Sequence, residues 1–159
     1  MTTKTDYTDE EWATLTRAPI VAGMAISLAD PGGPIEVTKE LLATLRAVTD
    51  PTTQAELVVS ISQEVGAMAK ERKNPAGDFK PKGPTAGQQI LDEVRSAAEI
   101  VRSKAPAEEA DAFRGWLMTV AQQAADAAKE GGFMGFHAER VSKGEQEMLD
   151  HVRAAVSPS

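Results

Sequence analysis

Apolar residues recur every three or four positions along most of the chain, which is the period of one face of an α-helix. The first stripe begins after Thr8 and Glu11, whose spacing is that of a capping box. It predicts a helix over 8–29 with Trp12 on its apolar face. Pro19 lies inside this stripe and predicts a kink or a break there.

Five further helices are predicted from the same period. In the second, the leucines and a valine are expected to face the core: Leu41, Leu42, Leu45 and Val48. Strand-like alternation is absent over any useful length, so the sequence predicts an all-α fold of about six helices. The remaining predicted ranges are 35–48, 51–72, 85–104, 107–130 and 142–156.

Capping residues mark the starts of three of these helices. Asp50 precedes a proline, a favoured pair for the N-cap and the first helical position. Ser142 and Glu145 have the spacing of a second capping box, and Thr85 with Gln88 forms a weaker version. These residues predict where the third, fourth and last helices begin.

The two halves of the chain resemble each other in the order of their elements. Residues 12–48 and 116–156 each contain an apolar helix with a tryptophan, a Gly-Gly break and a short amphipathic helix. This order predicts two helical hairpins related by a pseudo-twofold, around two central apolar helices. We expect a single domain over 1–159, with a flexible N-terminus at 1–7, a basic loop at 73–84 and a flexible C-terminus at 157–159.

The composition fits one globular domain and narrows the class of partner. The chain has 159 residues, of which 42% are hydrophobic and 26% charged, and its formal net charge is -7. An acidic chain binds nucleic acid or an anionic membrane poorly, because attraction to phosphate requires basic surface. The longest apolar run, 18–29, is shorter than the roughly 20 residues of a membrane span. We therefore expect no nucleic-acid and no membrane binding.

Cysteine is absent, which excludes disulfides, thiolate metal sites and cysteine nucleophiles. The polar N-terminus lacks the apolar region of a secretory signal. Both features are typical of a cytoplasmic protein. One segment, 70–82, departs from the acidic trend, with five basic and two acidic residues. Its composition indicates a solvated loop, or a surface that binds an acidic partner or another copy of the chain.

The segment 131–140, GGFMGFHAER, concentrates residues that are rare in this chain. It holds two of the four Phe and one of the two His. As a recognition loop it would present an apolar patch with polar neighbours: Phe133, Met134, Phe136, His137 and Arg140. In the alternative interpretation the aromatic side chains plug the end of the helical bundle and the glycines supply the turns.

The sequence contains only weak patterns for a metal site or a catalytic site. Neither of two candidate ligand sets has the fixed spacing of a strong metal motif. No nucleophile elbow is present, so we assign no catalytic residue. The two candidate sets are Asp30 with Glu36 and Glu40, and His137 with Glu139 and either Glu130 or Glu145.

Two family resemblances extend this interpretation. The stretch ADPGGPIEVTKELL at 29–42 resembles the helix, acidic loop, helix unit of the TerB-like tellurite-resistance proteins. That resemblance implies an all-helical fold of two hairpins, and a divalent cation held by loop carboxylates, for which Asp30 is the matching position. The segment GGFMGFHAERVSKGE at 131–145 resembles a group of uncharacterised bacterial proteins with a GGFxGF loop. That second resemblance implies no known activity.

Together these patterns predict a non-enzymatic protein-protein interaction or scaffold module. It would recognise a partner, or itself as a homo-oligomer, through the 131–140 loop. The alternative is a TerB-like stress-response protein that binds a divalent cation, and we expect no other cofactor. An enzyme or small-ligand binder with a pocket between the central helices is a third class.

Overall fold

The computed structural model describes residues 1–29, 34–130 and 142–158. Within these ranges the regular structure is entirely helical and includes no strand, which confirms the all-α fold of about six helices. Short 3₁₀ turns lie at Lys4–Asp6 and Gly83–Thr85. The six helices are α1 (Asp9–Ala29), α2 (Pro34–Thr49), α3 (Glu56–Lys70), α4 (Ala86–Lys104), α5 (Ala107–Glu130) and α6 (Lys143–Val156).

Two of the predicted capping boxes start their helices as expected. Before α1, the Thr8 amide donates to the Glu11 carboxylate at 2.8 Å and the Glu11 amide donates to Thr8 Oγ1 at 3.1 Å. Before α6, Ser142 and Glu145 make the same two bonds at 2.9 and 3.2 Å. Each box satisfies backbone amides that the first turn of a helix leaves without intrahelical partners.

The predicted start of the third helix is wrong. α3 begins at Glu56 rather than directly after Asp50, and its N-cap residue makes no side-chain cap bond. The cap comes from another helix, because Glu109 Oε1 of α5 accepts a hydrogen bond from the Leu57 amide at 3.1 Å. Residues 51–55 therefore connect α2 to α3 in a non-helical conformation.

The weaker capping box predicted at Thr85 is also absent. Thr85 makes no side-chain cap bond to α4. Its hydroxyl instead lies 2.9 Å from Gln89 Nε2, which also donates to the Lys82 carbonyl at 2.9 Å. Gln88, the expected partner of Thr85, donates to Asp92 within α4. The loop before α4 is thus tied to the helix by a glutamine one position later than predicted.

Helices α1 and α5 form the centre of the bundle, and each contacts the other five helices. Trp12 and Trp116 are buried in this core, as their positions on the two apolar helices predicted. The sequence predicted a kink or a break at Pro19, and the break does not occur, because α1 stays helical through this residue. Phe113 of α5 is the largest fully buried side chain among the described residues.

The helix directions place several termini at one end of the bundle. α2 runs antiparallel to α1, because Gly23 lies against Thr44 and Ser27 bonds Glu40. α4 also runs antiparallel to α1, since Lys104 pairs with Glu11 near one end and Gly87 lies near Leu28 at the other. Gly144, in the first turn of α6, lies against the Ala29 carbonyl. We call this end, where α1 ends and α2, α4 and α6 begin, the loop end.

α5 also ends at the loop end. Its first turns line a cavity with the last residues of α4 and α6, which lie at the opposite end of the bundle. A continuous helix of 24 residues that begins there finishes at the loop end. The residues that flank 30–33 and 131–141 therefore lie at the same end of the bundle.

The N-terminal residues and the basic loop both contact the core. We expected a flexible N-terminus over 1–7; in the structure Thr2 and Tyr7 are buried, and Thr2 bonds Glu109. In the basic loop, Ala76 is buried and Phe79 packs partly buried against the core. These contacts hold both segments against the bundle.

α1 is long and apolar enough to span a membrane by length and composition alone. Of its most apolar window, 67% is buried inside the bundle. The same apolar character is required of a helix that contacts five others in a core. The packing of α1 therefore accounts for its composition within this fold.

Candidate functional site

Helix α2 carries an apolar surface that the described part of the bundle does not cover. Leu41 and Leu42 are 52% and 59% exposed. With Met1 set aside, the exposed large apolar side chains among the described residues all lie on α2 or beside it on α1. We call this set the α2 apolar surface, and its members are Leu28, Ile35, Val37, Leu41 and Leu42.

The prediction that Leu41 and Leu42 face the core is wrong, because α2 turns a different face inward. A helix turns by about 100° per residue, so a register that buries residue 40 carries the next two side chains toward solvent. Leu45 packs partly buried against the core and Val48 is buried, as predicted. The α2 side chains that face the core are Glu40, Thr44, Ala47 and Val48.

Two close contacts with neighbouring helices determine which face of α2 points toward the core. A Cβ added at Gly23 of α1 would lie 2.5 Å from both Oγ1 and Cγ2 of Thr44, so only glycine allows the helices to approach this closely. Further along α2, the Ala47 carbonyl accepts a hydrogen bond from Trp116 Nε1 of α5 at 3.3 Å. α2 is therefore held from two sides, by α1 and by α5.

A buried carboxylate fixes the same face. Glu40 is 1% exposed, and its Oε2 accepts a hydrogen bond from the Ser27 hydroxyl of α1. Removing a carboxylate from water is costly unless hydrogen bonds replace the lost hydration. Glu40 must therefore keep its hydrogen-bond partners, and any rotation of α2 that buried the leucines would break the bond to Ser27.

The α2 apolar surface continues into a groove of about 410 Å³ between α1, α2 and the start of α4. The groove is large enough to receive apolar side chains of a partner or the apolar part of a small ligand. Its walls are mainly apolar and include Met24, Leu28, Val37, Leu41, Pro81 and Ile90.

Basic side chains lie next to this surface. Lys39 and Arg46 are exposed on α2, three and four residues from Leu42 and so adjacent to it on the helix. Lys80 and Lys82 are exposed on either side of Pro81 in the basic loop. Within the described residues, none of these four side chains forms an ion pair or a hydrogen bond. We call them the basic border of the α2 apolar surface.

A second cavity, of about 300 Å³, lies at the other end of the bundle between α4, α5 and α6. Its walls contain several alanines, and three arginines line it. Arg95 pairs with Asp92 and Arg114 pairs with Asp111, which neutralises two of the three cations. This cavity therefore presents less uncompensated charge than the α2 surface.

The residues predicted as the site lie outside the part of the chain that the structure describes. This holds for the five partner-binding residues of the 131–140 loop and for Asp30, the predicted metal ligand. The structure brings the helix ends that flank both segments to the loop end. The residues concerned are Phe133, Met134, Phe136, His137, Arg140 and Asp30.

The candidate metal ligands that the structure does describe have structural contacts. Glu40 is buried against Ser27, and Glu145 is buried in the capping box of α6. Among residues 1–29, 34–130 and 142–158, no three His, Asp or Glu side chains are grouped as a metal site requires. The cation interpretation therefore depends on candidate ligands whose side chains the structure does not describe, and it stays a prediction. These candidates are Asp30, Glu36, Glu130, His137 and Glu139.

The sequence contained a signal for the α2 apolar surface that the helical period alone did not isolate. At about 100° per residue, the positions of α2 that carry large apolar side chains span an arc of about 160°. A stripe of roughly 100° is sufficient for a helix that faces a core. The excess width marks a helix with more apolar surface than one interface inside the bundle covers. The positions are 35, 37, 41, 42, 45 and 48.

Comparison of the chain with protein-family models, with curated proteins and with solved structures gives no match in any of the three. The resemblances to TerB-like proteins and to proteins with a GGFxGF loop therefore stay predictions.

Proposed function

We propose that the protein is a non-enzymatic interaction module that binds a protein partner, or a second copy of itself, at the loop end of its helical bundle. The observation that supports this proposal is the α2 apolar surface, which gathers five exposed large apolar side chains beside a groove of about 410 Å³. A contiguous apolar patch of this kind on a folded domain is typical of an interaction site.

The small stabilisation that α2 obtains from its exposed leucines also favours an interaction site on this helix. Fully burying a leucine stabilises a fold by about 1.5–3 kcal/mol relative to leaving it exposed. α2 gains little of this from Leu41 and Leu42, because they are more than half exposed, while it buries Glu40 instead. Contact with a partner would recover the stabilisation that the described part of the bundle does not provide to these two side chains.

We propose the 131–140 loop as a second part of the interaction site. The chain leaves α5 and enters α6 at the loop end, which is also where α2 begins. Phe133, Met134 and Phe136 would then add apolar contacts to a partner already bound at α2. The cytoplasmic location inferred from the absence of cysteine belongs to the same proposal.

One comparison of matched variants tests this function. Three forms of the chain are compared for self-association by sedimentation and for retention of partner proteins. They are the unchanged protein, the α2 variant Leu41→Gln with Leu42→Gln, and the loop variant Phe133→Ser with Phe136→Ser. Glu99→Gln with Arg102→Gln is the control, because both residues are exposed on α4 away from the loop end. Each variant is first shown to be folded by its circular dichroism and unfolding midpoint.

The proposal predicts that the α2 variant loses self-association or partner retention while the α4 control keeps it. Loss in the loop variant without unfolding would add the loop to the site. Unfolding of the loop variant would indicate that Phe133 and Phe136 pack in the core. Equal behaviour of the α2 variant and the control, both folded, would contradict the proposed function.

The TerB-like alternative is a divalent-cation-binding stress-response protein, with Asp30 and neighbouring carboxylates as ligands. It differs from the interaction proposal in a direct way, because a cation bound to the folded chain must raise its thermal stability. Ion-dependent unfolding therefore separates the two.

A further inference from the structure

We infer that the α2 apolar surface binds an acidic amphipathic helix of a partner protein. This inference rests on the proposed function and adds the chemistry of the partner. Two features of the surface support it, which are its shape and the charge of its border.

The shape suits a helix. The groove lies between α1 and α2, with Pro81 and Ile90 closing it on the α4 side. An amphipathic helix binds such a groove by inserting apolar side chains at i, i+3 or i+4, and i+7. Val37 and Leu41 are one helical turn apart on the groove wall and would contact successive anchors of the bound helix.

The charge of the border selects an acidic helix. The basic border consists of Lys39 and Arg46 on α2 and of Lys80 and Lys82 in the basic loop, all exposed. Among the α2 side chains that the structure describes, the only carboxylate is Glu40, which is buried. The rest of the molecule is acidic enough to give a net charge of -7, so this border is a local exception. Carboxylates flanking the apolar anchors of a partner would pair with it.

The same charges disfavour two other occupants. A second copy placed face to face would bring the two basic borders together, and like charges opposed across an interface destabilise it. An anionic membrane would attract the border but would be repelled by the net charge of -7 over the whole molecule. A concave groove also matches a helix better than it matches a flat bilayer.

The test uses two synthetic peptides of about 18 residues, which is five helical turns. They share one pattern of leucines, and their polar faces carry glutamates in one peptide and lysines in the other. Fluorescence anisotropy of each labelled peptide is measured with the full chain at low and at physiological salt. Vesicles of phosphatidylserine and phosphatidylcholine, and sedimentation of the protein alone, are measured in parallel.

We expect the acidic peptide to bind about tenfold or more tightly than the basic one, with a difference that decreases as salt is added. Leu41→Gln with Leu42→Gln should weaken the binding of the acidic peptide about tenfold. Lys39→Glu with Lys82→Glu should remove the preference for the acidic peptide. Lys70→Glu with Arg102→Glu, which changes the net charge equally at sites away from the groove, should keep it.

The other outcomes would overturn the inference in distinguishable ways. Equal binding of both peptides that still depends on Leu41 and Leu42 would leave the apolar interaction site intact and remove its acidic selectivity. Binding of neither peptide, together with a dimer that the leucine variant abolishes, would assign the surface to a second copy. Leucine-dependent binding to the anionic vesicles alone would assign it to a membrane. Peptide binding unaffected by the leucine variant would contradict the proposed function as well.

Discussion

Gly23 of α1 and Thr44 of α2 are in such close contact that a Cβ at residue 23 would lie 2.5 Å from both branches of the threonine side chain. Neither χ1 rotation nor a small displacement of one methyl group relieves a clash with both branches of a β-branched residue. This contact therefore sets the distance between the two helices and the face of α2 that points inward.

We expect Gly23→Ala to lower the free energy of unfolding by up to about 2 kcal/mol. Overpacking a close contact costs about 1–3 kcal/mol, while alanine in place of glycine inside a helix returns about 1 kcal/mol. Urea denaturation measures the difference. Adding Thr44→Ala to Gly23→Ala should restore part of the loss, since it removes the two atoms that clash.

Gly115→Ala is the matched control for this prediction. Gly115 lies inside α5, and a Cβ there would have no neighbour within 4 Å. The substitution should therefore stabilise the protein by about 0.5–1 kcal/mol. If both glycine variants behaved alike, the close approach of α1 and α2 would not be present in solution.

Glu109 joins three segments of the chain, and its replacement tests this role. Its Oε2 accepts hydrogen bonds from the Thr2 amide at 2.9 Å and the Thr2 hydroxyl at 2.7 Å, while Oε1 accepts from the Leu57 amide. In Glu109→Gln an amide NH₂ must face one of these donors, which leaves a buried group unsatisfied. We expect the free energy of unfolding to fall by about 1–3 kcal/mol.

Glu108→Gln provides the control for Glu109. Glu108 is the exposed neighbour in the same helix turn, and its replacement should change the free energy of unfolding by less than about 0.5 kcal/mol. Amide exchange of Leu57 should also become faster only in Glu109→Gln. An equal effect of the two variants would show that the N-terminal segment and α3 are not held by Glu109.

Glu11 makes the stability of the protein depend on pH in the acidic range. The hydrogen bond from Lys104 at 2.6 Å, followed by the bond from the Thr8 amide, lowers the pKa of Glu11 from its ordinary value of 4.5. A carboxylate whose pKa is lower in the folded state stabilises the fold above its unfolded pKa, and this stabilisation is lost as pH falls through the folded pKa.

The free energy of unfolding of the protein and of Glu11→Gln should therefore differ at neutral pH, and the difference should shrink below pH 4.5. Urea denaturation from pH 7 down to about pH 3 measures it. Glu10→Gln, at an exposed neighbouring position in the same helix turn, is the matched control for the loss of one carboxylate. A difference that stayed constant over this range would mean that the bond to Lys104 does not form in solution.

Thermal unfolding with added ions separates the interaction proposal from the cation alternative. The protein is unfolded with a chelator and then with calcium, magnesium, manganese and zinc in turn. The interaction proposal predicts no saturable rise of the midpoint, because it assigns no role to a bound ion. A saturable rise with one ion that Asp30→Asn removes would favour the cation alternative.

Much of the fold could be predicted from the sequence because local signals determined it. The helical period gave the number of helices, and the capping boxes at Thr8 and Ser142 gave two helix starts. The burial of Trp12 and Trp116 followed from their places on the most apolar helices. These features depend on residues within a few positions of each other, which a sequence displays directly.

The errors arose where contacts between distant residues decided the structure. The start of α3 depends on Glu109, which lies 52 residues away from Leu57 in the chain. The face of α2 that points toward the core depends on Gly23 and Ser27 of α1. Because the Glu40 carboxylate is buried against Ser27, Leu41 and Leu42 are exposed, although the period of the leucines predicted that they face the core. Neither contact is visible in a local period.

The candidate site was only partly accessible from the sequence for the same reason. The recognition loop predicted at 131–140 lies outside the described residues and stays a prediction, and the apolar surface on α2 was missed because Leu41 and Leu42 were assigned to the core. The basic loop was identified from its charge, whereas its position beside the groove became clear only because Pro81 lines the groove together with residues of α1 and α2.

We propose that Leu41 and Leu42 contact a partner and not the core of the monomer. The free energy of unfolding of Leu41→Gln with Leu42→Gln tests it most directly, because glutamine keeps the helix propensity of leucine. We predict a change of about 1 kcal/mol or less for the pair, as for substitutions at the surface. A loss of about 4 kcal/mol or more, the scale of truncating two buried leucines, would place both side chains in the core and contradict the account.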